Sequence, residues 1–229
     1  RIPPDNPPMV FAGWVKELSE SERATMWRRG LETLAAIHRI DVRRHDLSRL
    51  PRAKPGESVV AHELRKFDSM FRPDLRAGAT PVLAEAWALA REKAPGPGEA
   101  RLCWGDSRVG NVIWRDLAPV AVIDWEMANL SDPLADLSGG SWSERCNRVG
   151  LGAEMLPGIP EPHEAYAQWH EWTGLPIDDI AWYELFTVAR YAIVLELKFA
   201  AMRAANPEMG PPPNFAAALL PPLLAAVRG

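Results

Sequence analysis

Apolar and polar positions follow a helical period through most of this chain and a strand-like pattern only in its middle. Ser19-Glu20-Ser21-Glu22 is a capping box, with Ser19 as N-cap and Glu22 three residues on. It opens a helix to about Ile40 whose apolar stripe includes Met26, Leu31, Leu34 and Ile37. A second helix is expected from about Ser58 to Phe71. A third starts with Thr80 as N-cap and Pro81 at the first helical position, and stops before Pro95-Gly96-Pro97-Gly98. Three short strand-like runs come next: Arg101–Cys103, Val112–Trp114 and Val120–Ile123. The last two fold into a hairpin across Arg115-Asp116-Leu117-Ala118-Pro119. Asp132-Pro133 caps the following helix. Beyond Leu156-Pro157-Gly158-Ile159-Pro160, helices are expected over Glu161 to Thr173 and Ile177 to Ala205, the second ended by Asn206-Pro207. A Pro-rich break from Gly210 to Pro213 precedes a terminal helix. The pattern predicts an α+β fold, mainly α-helical, with one small β-hairpin.

Composition narrows the function classes. At 229 residues, 47% of them apolar and 24% charged, the chain has the balance of an ordinary globular protein with a substantial core. A net charge of −4 gives no global basic field, so nucleic acid is not an expected partner. Cys103 and Cys146 are the only cysteines and have no metal-like spacing, which suits a reducing cytoplasm without disulfides. No apolar run reaches the roughly 20 residues needed to cross a bilayer, so no membrane partner is expected. The start, Arg1-Ile2-Pro3-Pro4-Asp5-Asn6-Pro7-Pro8, reads as an extended segment and lacks a Met, as in a piece that begins partway through a longer polypeptide.

The candidate chemistry is concentrated between Leu102 and Asp136. Asp106 lies on a polar loop before a strand, where its carboxylate can accept a hydrogen bond from a hydroxyl and take the proton as that oxygen attacks phosphorus. Asn111 opens the next strand and offers a neutral oxygen suited to Mg²⁺. Asp124, at the end of the apolar run Val120-Ala121-Val122-Ile123, adds a charged oxygen ligand. Mg²⁺ needs few protein ligands, because phosphates and water complete its octahedron.

Trp104-Gly105-Asp106-Ser107-Arg108-Val109-Gly110-Asn111, followed by Ile123-Asp124-Trp125-Glu126, resembles the aminoglycoside phosphotransferase / choline kinase-like family, which has the protein-kinase-like fold. The family pattern is His-Gly-Asp-x-x-x-x-Asn and then an apolar-Asp pair. The resemblance implies that Asp106 is the catalytic base and that Asn111 and Asp124 bind metal. Asp132-Pro133-Leu134-Ala135-Asp136-Leu137 resembles a family segment whose second Asp, here Asp136, braces the catalytic loop. Leu34-Ala35-Ala36-Ile37-His38 resembles the family's leucine-histidine helix end. Trp182-Tyr183-Glu184-Leu185-Phe186 resembles the branch related to the kinase-like domain of acyl-CoA dehydrogenase fusion proteins. That branch implies an acyl-CoA-linked hydroxy acid or another alcohol as acceptor at least as readily as an antibiotic.

Three departures stand out. Trp104 occupies the position of the family's His, and Trp125-Glu126 replaces the Phe-Gly of protein kinases. No Gly-rich loop and no strand Lys, which clamp nucleotide phosphates, is present in the sequence. The expectation is therefore a C-terminal lobe over 19–207, with 1–18 an extended segment after the hinge and 208–229 a break plus terminal helix. The nucleotide-clamping lobe would precede Arg1, and that lobe or a partner would cover the face it leaves. The implied function is an ATP- and Mg²⁺-dependent phosphotransferase acting on a small-molecule hydroxyl. A non-catalytic, pseudokinase-like binding module is the alternative.

Plainer roles compete at several positions. Arg108 either contacts nucleotide phosphate or substrate, or forms a salt bridge on its loop. His38 near a helix end fits a structural role better than a catalytic one. Trp169, Trp172 and Trp182, at helical spacing, fit a core better than an acceptor pocket. Glu161, Glu164, Glu171, Asp178 and Asp179 fit helix N-termini without any cationic acceptor. Cys103 reads as a small buried apolar residue.

Overall fold

The computed structural model describes residues 1–3, 12–208, 210 and 212–229. Nine α-helices and four short strands are found among them: α1 Trp14–Glu17, α2 Glu20–His38, α3 Ala61–Met70, α4 Pro73–Gly78, α5 Pro81–Glu92, β1 Arg101–Cys103, β2 Val112–Arg115, β3 Ala118–Val122, β4 Asn129–Ser131, α6 Leu134–Arg148, α7 Pro162–Thr173, α8 Ile180–Ala205 and α9 Leu220–Arg228. The molecule is mainly helical with two small antiparallel sheets, one of β1 and β4 and one of β2 and β3. The extended stretch expected over 1–18 lies at 4–11 outside the described residues. Its end is instead the single helical turn α1, whose Val15 is fully buried. The expected break at 210–213 also includes a residue outside the described ones.

The capping box forms as expected: Ser19 Oγ accepts from the Glu22 backbone N–H and Glu22 Oε2 accepts from that of Ser19. Asp132 Oδ1 accepts from the Leu134 N–H at 2.9 Å, so it caps α6 from just before the helix. In α5, Pro81 occupies the first turn, but Thr80 makes no side-chain cap bond. The hairpin is tighter than expected. β3 starts at Ala118, and only Asp116 and Leu117 turn, both with positive φ, as a type I′ hairpin requires. β4 and α4 have no counterpart in the expectation. β4 has three residues and no alternation, and α4 hides behind Pro73 at its first turn.

Two cores organise these elements. The larger surrounds α8, which is buried along much of its length and packs on α5, α6 and α9. Trp87, Phe186 and Trp182 stack there, with ring centroids 6.0 and 4.9 Å apart. Trp169 and Trp182 are buried in this core and Trp172 packs against it, the structural role expected of them. Glu63 and Arg190 form a buried ion pair at 3.0 Å, with Ser131 and the Ala135 carbonyl as further partners. The smaller core joins α2 to the β1–β2 region through Trp27, Leu34, Trp104, Val109, Val112 and Trp114. The loop with the candidate chemistry runs across it.

Candidate active site

The loop between β1 and β2 is anchored from below by one carboxylate. Asp136, on α6 and 1% exposed, accepts the backbone N–H of Trp104 at 2.5 Å and that of Gly105 at 2.8 Å. Ser107 Oγ donates to the Asp136 carbonyl. Gly105 is obligatory: its φ is +91°, and a Cβ there would lie 2.2 Å from the Met127 carbonyl oxygen. His38 Nε2 lies 3.3 Å from Asp136 Oδ2, and His38 Nδ1 accepts from the Trp169 indole N–H at 3.1 Å. An indole can only donate, so Nε2 carries the imidazole proton and gives it to Asp136. The three-residue chain Trp169–His38–Asp136 thus ties the larger core to the loop.

Above this brace stands Asp106. A 3₁₀ turn over Val109–Asn111 folds the chain back, so that Asn111 Nδ2 donates to the Asp106 carbonyl at 3.0 Å and to its Oδ2 at 2.7 Å. Both partners accept only, which fixes the carboxamide orientation and turns Asn111 Oδ1 away from Asp106. Arg108 forks onto the same carboxylate, Nε to Oδ1 at 2.9 Å and an Nη to Oδ2 at 3.2 Å. Its guanidinium also lies 3.4 Å from Asn111 Oδ1. Of the two roles open to Arg108, the structure displays the salt bridge.

Asp124 follows β3, with φ +61° and an exposed side chain. Backbone links place it: the Ile123 N–H donates to the Asn111 carbonyl at 3.0 Å, and the Ile123 carbonyl accepts from the Trp104 indole N–H at 2.9 Å. The structure therefore unites Asp106, Arg108 and Asn111 in one hydrogen-bonded cluster and sets Asp124 at the neighbouring strand end. Among the described residues no hydrogen bond or ion pair joins the Asp124 carboxylate to that cluster. Asn111 Oδ1 and the Asp124 carboxylate are hard oxygen donors, the type Mg²⁺ takes.

His38, Cys103 and Asp136 also gather ligand-type atoms within 4.8 Å of one another, all buried. Both ring nitrogens of His38 and both oxygens of Asp136 are already hydrogen-bonded. Burial first, and then the Asp136 charge, push the Cys103 thiol well above its usual pKa, away from the thiolate a metal needs. This cluster is a structural brace.

A cavity of about 460 Å³ beside the loop is lined by Trp27, Leu31, Leu34, Trp104, Val109 and Leu137, together with Ser107 and Arg108. Ser107 is the contributor that the sequence did not single out. Trp104 carried a signal as the residue standing where the resembled family has His, and Trp169 as a core residue whose bond to His38 its spacing did not reveal.

The chain is similar to known proteins in sequence and in fold. A 31% identical relative over 146 residues is acyl-CoA dehydrogenase family member 11 of Gallus gallus, with 60% of this chain and 18% of that protein covered. The protein of the same name from Homo sapiens is 25% identical over 158 residues, covering 64% and 19%. The chain thus spans about a fifth of the length of these curated relatives. Among solved structures, a Ralstonia eutropha protein described as an aminoglycoside phosphotransferase superposes with a TM-score of 0.69 at 19% identity, covering 92% of this chain and 65% of the other. Choline kinase of Streptococcus pneumoniae gives 0.54 at 13%, covering 92% and 66%. These two likenesses show a shared fold. No helix of the described residues is long and apolar enough to cross a membrane. The model of the phosphotransferase enzyme family matches residues 7–184, most of the chain, and the protein belongs to that family.

Proposed function

We propose that this chain carries the acceptor-activating and cation-holding residues of an ATP- and Mg²⁺-dependent phosphotransferase whose acceptor is a small molecule bearing a hydroxyl. The observation that carries the reading is the joint placement of Asp106, Arg108 and Asn111 on one braced loop, beside the strand end that presents Asp124. Among the bonds of the described residues, Asp106 Oδ2 accepts from Asn111 and Arg108, and Oδ1 accepts from Arg108 Nε. Oδ1 is the oxygen assigned to the acceptor hydroxyl. The acceptor oxygen bonds to the γ-phosphorus, the bond to the bridging oxygen of the leaving nucleoside diphosphate breaks, and the hydroxyl proton passes to Oδ1. Arg108 holds the carboxylate in one plane and adds positive charge beside the anionic phosphates. Asn111 Oδ1 and Asp124 are the oxygens that would hold Mg²⁺, which supplies charge neutralisation between the phosphates when bound. The apolar walls of the cavity beside the loop suit an acceptor with an apolar body better than a polycation.

The test is phosphoryl transfer by the full-length protein from ATP to a panel of hydroxy acids, hydroxyacyl thioesters, amino alcohols and aminoglycosides. Asp106→Asn is expected to lower turnover by about 10² to 10⁴ while nucleotide binding persists, the range that loss of a general base produces. Undiminished turnover in that variant removes Asp106 from its role. Nucleotide binding with no transfer to any acceptor by the wild type would favour the non-catalytic binding module.

A further inference from the structure

We propose that Trp104 is the positioning residue for Asp124: its indole N–H, on the braced loop, sets the direction in which that carboxylate meets the cation. The inference rests on the reading of Asp124 as a cation ligand given above. The Asp124 side chain has no hydrogen-bond partner among the described residues, so its backbone alone aims it. That backbone is left-handed at φ +61°, a conformation that costs a non-glycine residue about 1 kcal/mol or more and persists only where neighbours enforce it.

The enforcement is visible one residue earlier. Ile123 is gripped at both backbone groups, its N–H by the Asn111 carbonyl at 3.0 Å and its carbonyl by Trp104 Nε1 at 2.9 Å. Trp104 is a firm anchor. Its own backbone N–H is bound by Asp136, its ring is 2% exposed, and it packs in the smaller core. On the far side, Trp125 lies with its ring centroid 6.0 Å from that of Trp104 and donates its indole N–H to the Val122 carbonyl at 3.1 Å. The residues flanking Asp124 are thus both fastened, Ile123 by two bonds to the loop carrying Asp106, of which the bond to Trp104 is the one made by a side chain.

A buried Trp commonly finds some partner for its N–H, so packing alone is the competing account. Trp114 provides the control. It is also 2% exposed, lies in the same core, and donates its indole N–H to the Val109 carbonyl at 3.2 Å, away from Asp124. Four single variants of the full-length protein, Trp104→Phe, Trp104→His, Trp114→Phe and Asp124→Asn, are compared for Mn²⁺ binding in the presence of ADP. Free Mn²⁺ is counted by electron paramagnetic resonance, with folding at the assay temperature checked by circular dichroism.

Trp104→Phe is expected to weaken Mn²⁺ binding about tenfold, as loss of a group that orients a metal ligand does, and Trp104→His to recover part of it. Trp114→Phe, whose lost bond ends on the turn before Asn111 and not beside Asp124, is expected to weaken binding less than Trp104→Phe. Equal losses in Trp104→Phe and Trp114→Phe would mean general loosening and would overturn the proposal. So would wild-type binding by Trp104→Phe when Asp124→Asn is weakened. Undiminished binding by Asp124→Asn would instead overturn the cation-ligand reading on which the proposal stands.

Discussion

Asp136 and Asp124 are the same residue type on either side of one short sheet strand, and the protein treats them in opposite ways. Asp136 is 1% exposed and gives its oxygens to two backbone N–H groups and an imidazole. Asp124 is exposed, sits on left-handed backbone and bonds to nothing else among the described residues. A carboxylate consumed by the protein's own donors serves the fold. One left unpaired on a left-handed backbone beside a second polar cluster is available to a ligand, the role proposed for it above. The contrast divides the site into a rigid floor and an available rim.

Removing the floor should have the larger consequence. Asp136→Ala leaves two amide N–H groups and the His38 ring N–H buried without acceptors, at about 1–3 kcal/mol for each such group. We expect a loss of about 3–5 kcal/mol in urea unfolding, in line with breaking other buried charged networks. A loss under about 1 kcal/mol would erase the distinction between the two acids. Gly105→Ala comes next. It forces a side chain onto φ +91° and into the Met127 carbonyl, and should cost about 2–4 kcal/mol, read from the same unfolding curves. His38→Phe keeps a ring against Trp169 but strands its indole N–H and removes one donor to Asp136. A cost of about 2 kcal/mol is expected. An unchanged midpoint would show that His38 is idle in the brace.

Both acids were legible in the sequence, Asp136 only through the family resemblance that made it the brace of the loop. Asp106, Asn111 and Asp124 stood out because each is a polar residue at a strand edge, where backbone direction limits what the side chain can face. The long helices were legible for the same local reason: their apolar stripes, the Ser19/Glu22 box and Pro81 all lie within a few residues of what they determine. What stayed hidden is set by distant chain. β4 exists because three residues pair with β1, and its Leu130 is also bridged to Arg52. The Trp169–His38–Asp136 chain joins three separate helices, and no spacing in the sequence announces it. The two-residue turn at Asp116 and Leu117 was hidden because neither is the glycine that positive φ favours at such a turn.

The smallest expected effect is the sharpest test of the rim. Asp124→Gly removes a left-handed non-glycine residue, a strain of about 1–2 kcal/mol, and returns about 0.5–1 kcal/mol to the unfolded chain as added backbone freedom. No hydrogen bond of the described residues is lost from the side chain, and little buried surface goes with it. Stability should therefore stay within about 1 kcal/mol of the wild type, with the sign toward stabilisation. If Asp124 is the cation ligand proposed above, cation binding should fail in the same variant. Stability retained with binding lost would show that the strain is kept for a ligand. If Asp124→Gly instead unfolds as readily as Asp136→Ala, the exposed acid is holding the hairpin together, and floor and rim are one structure.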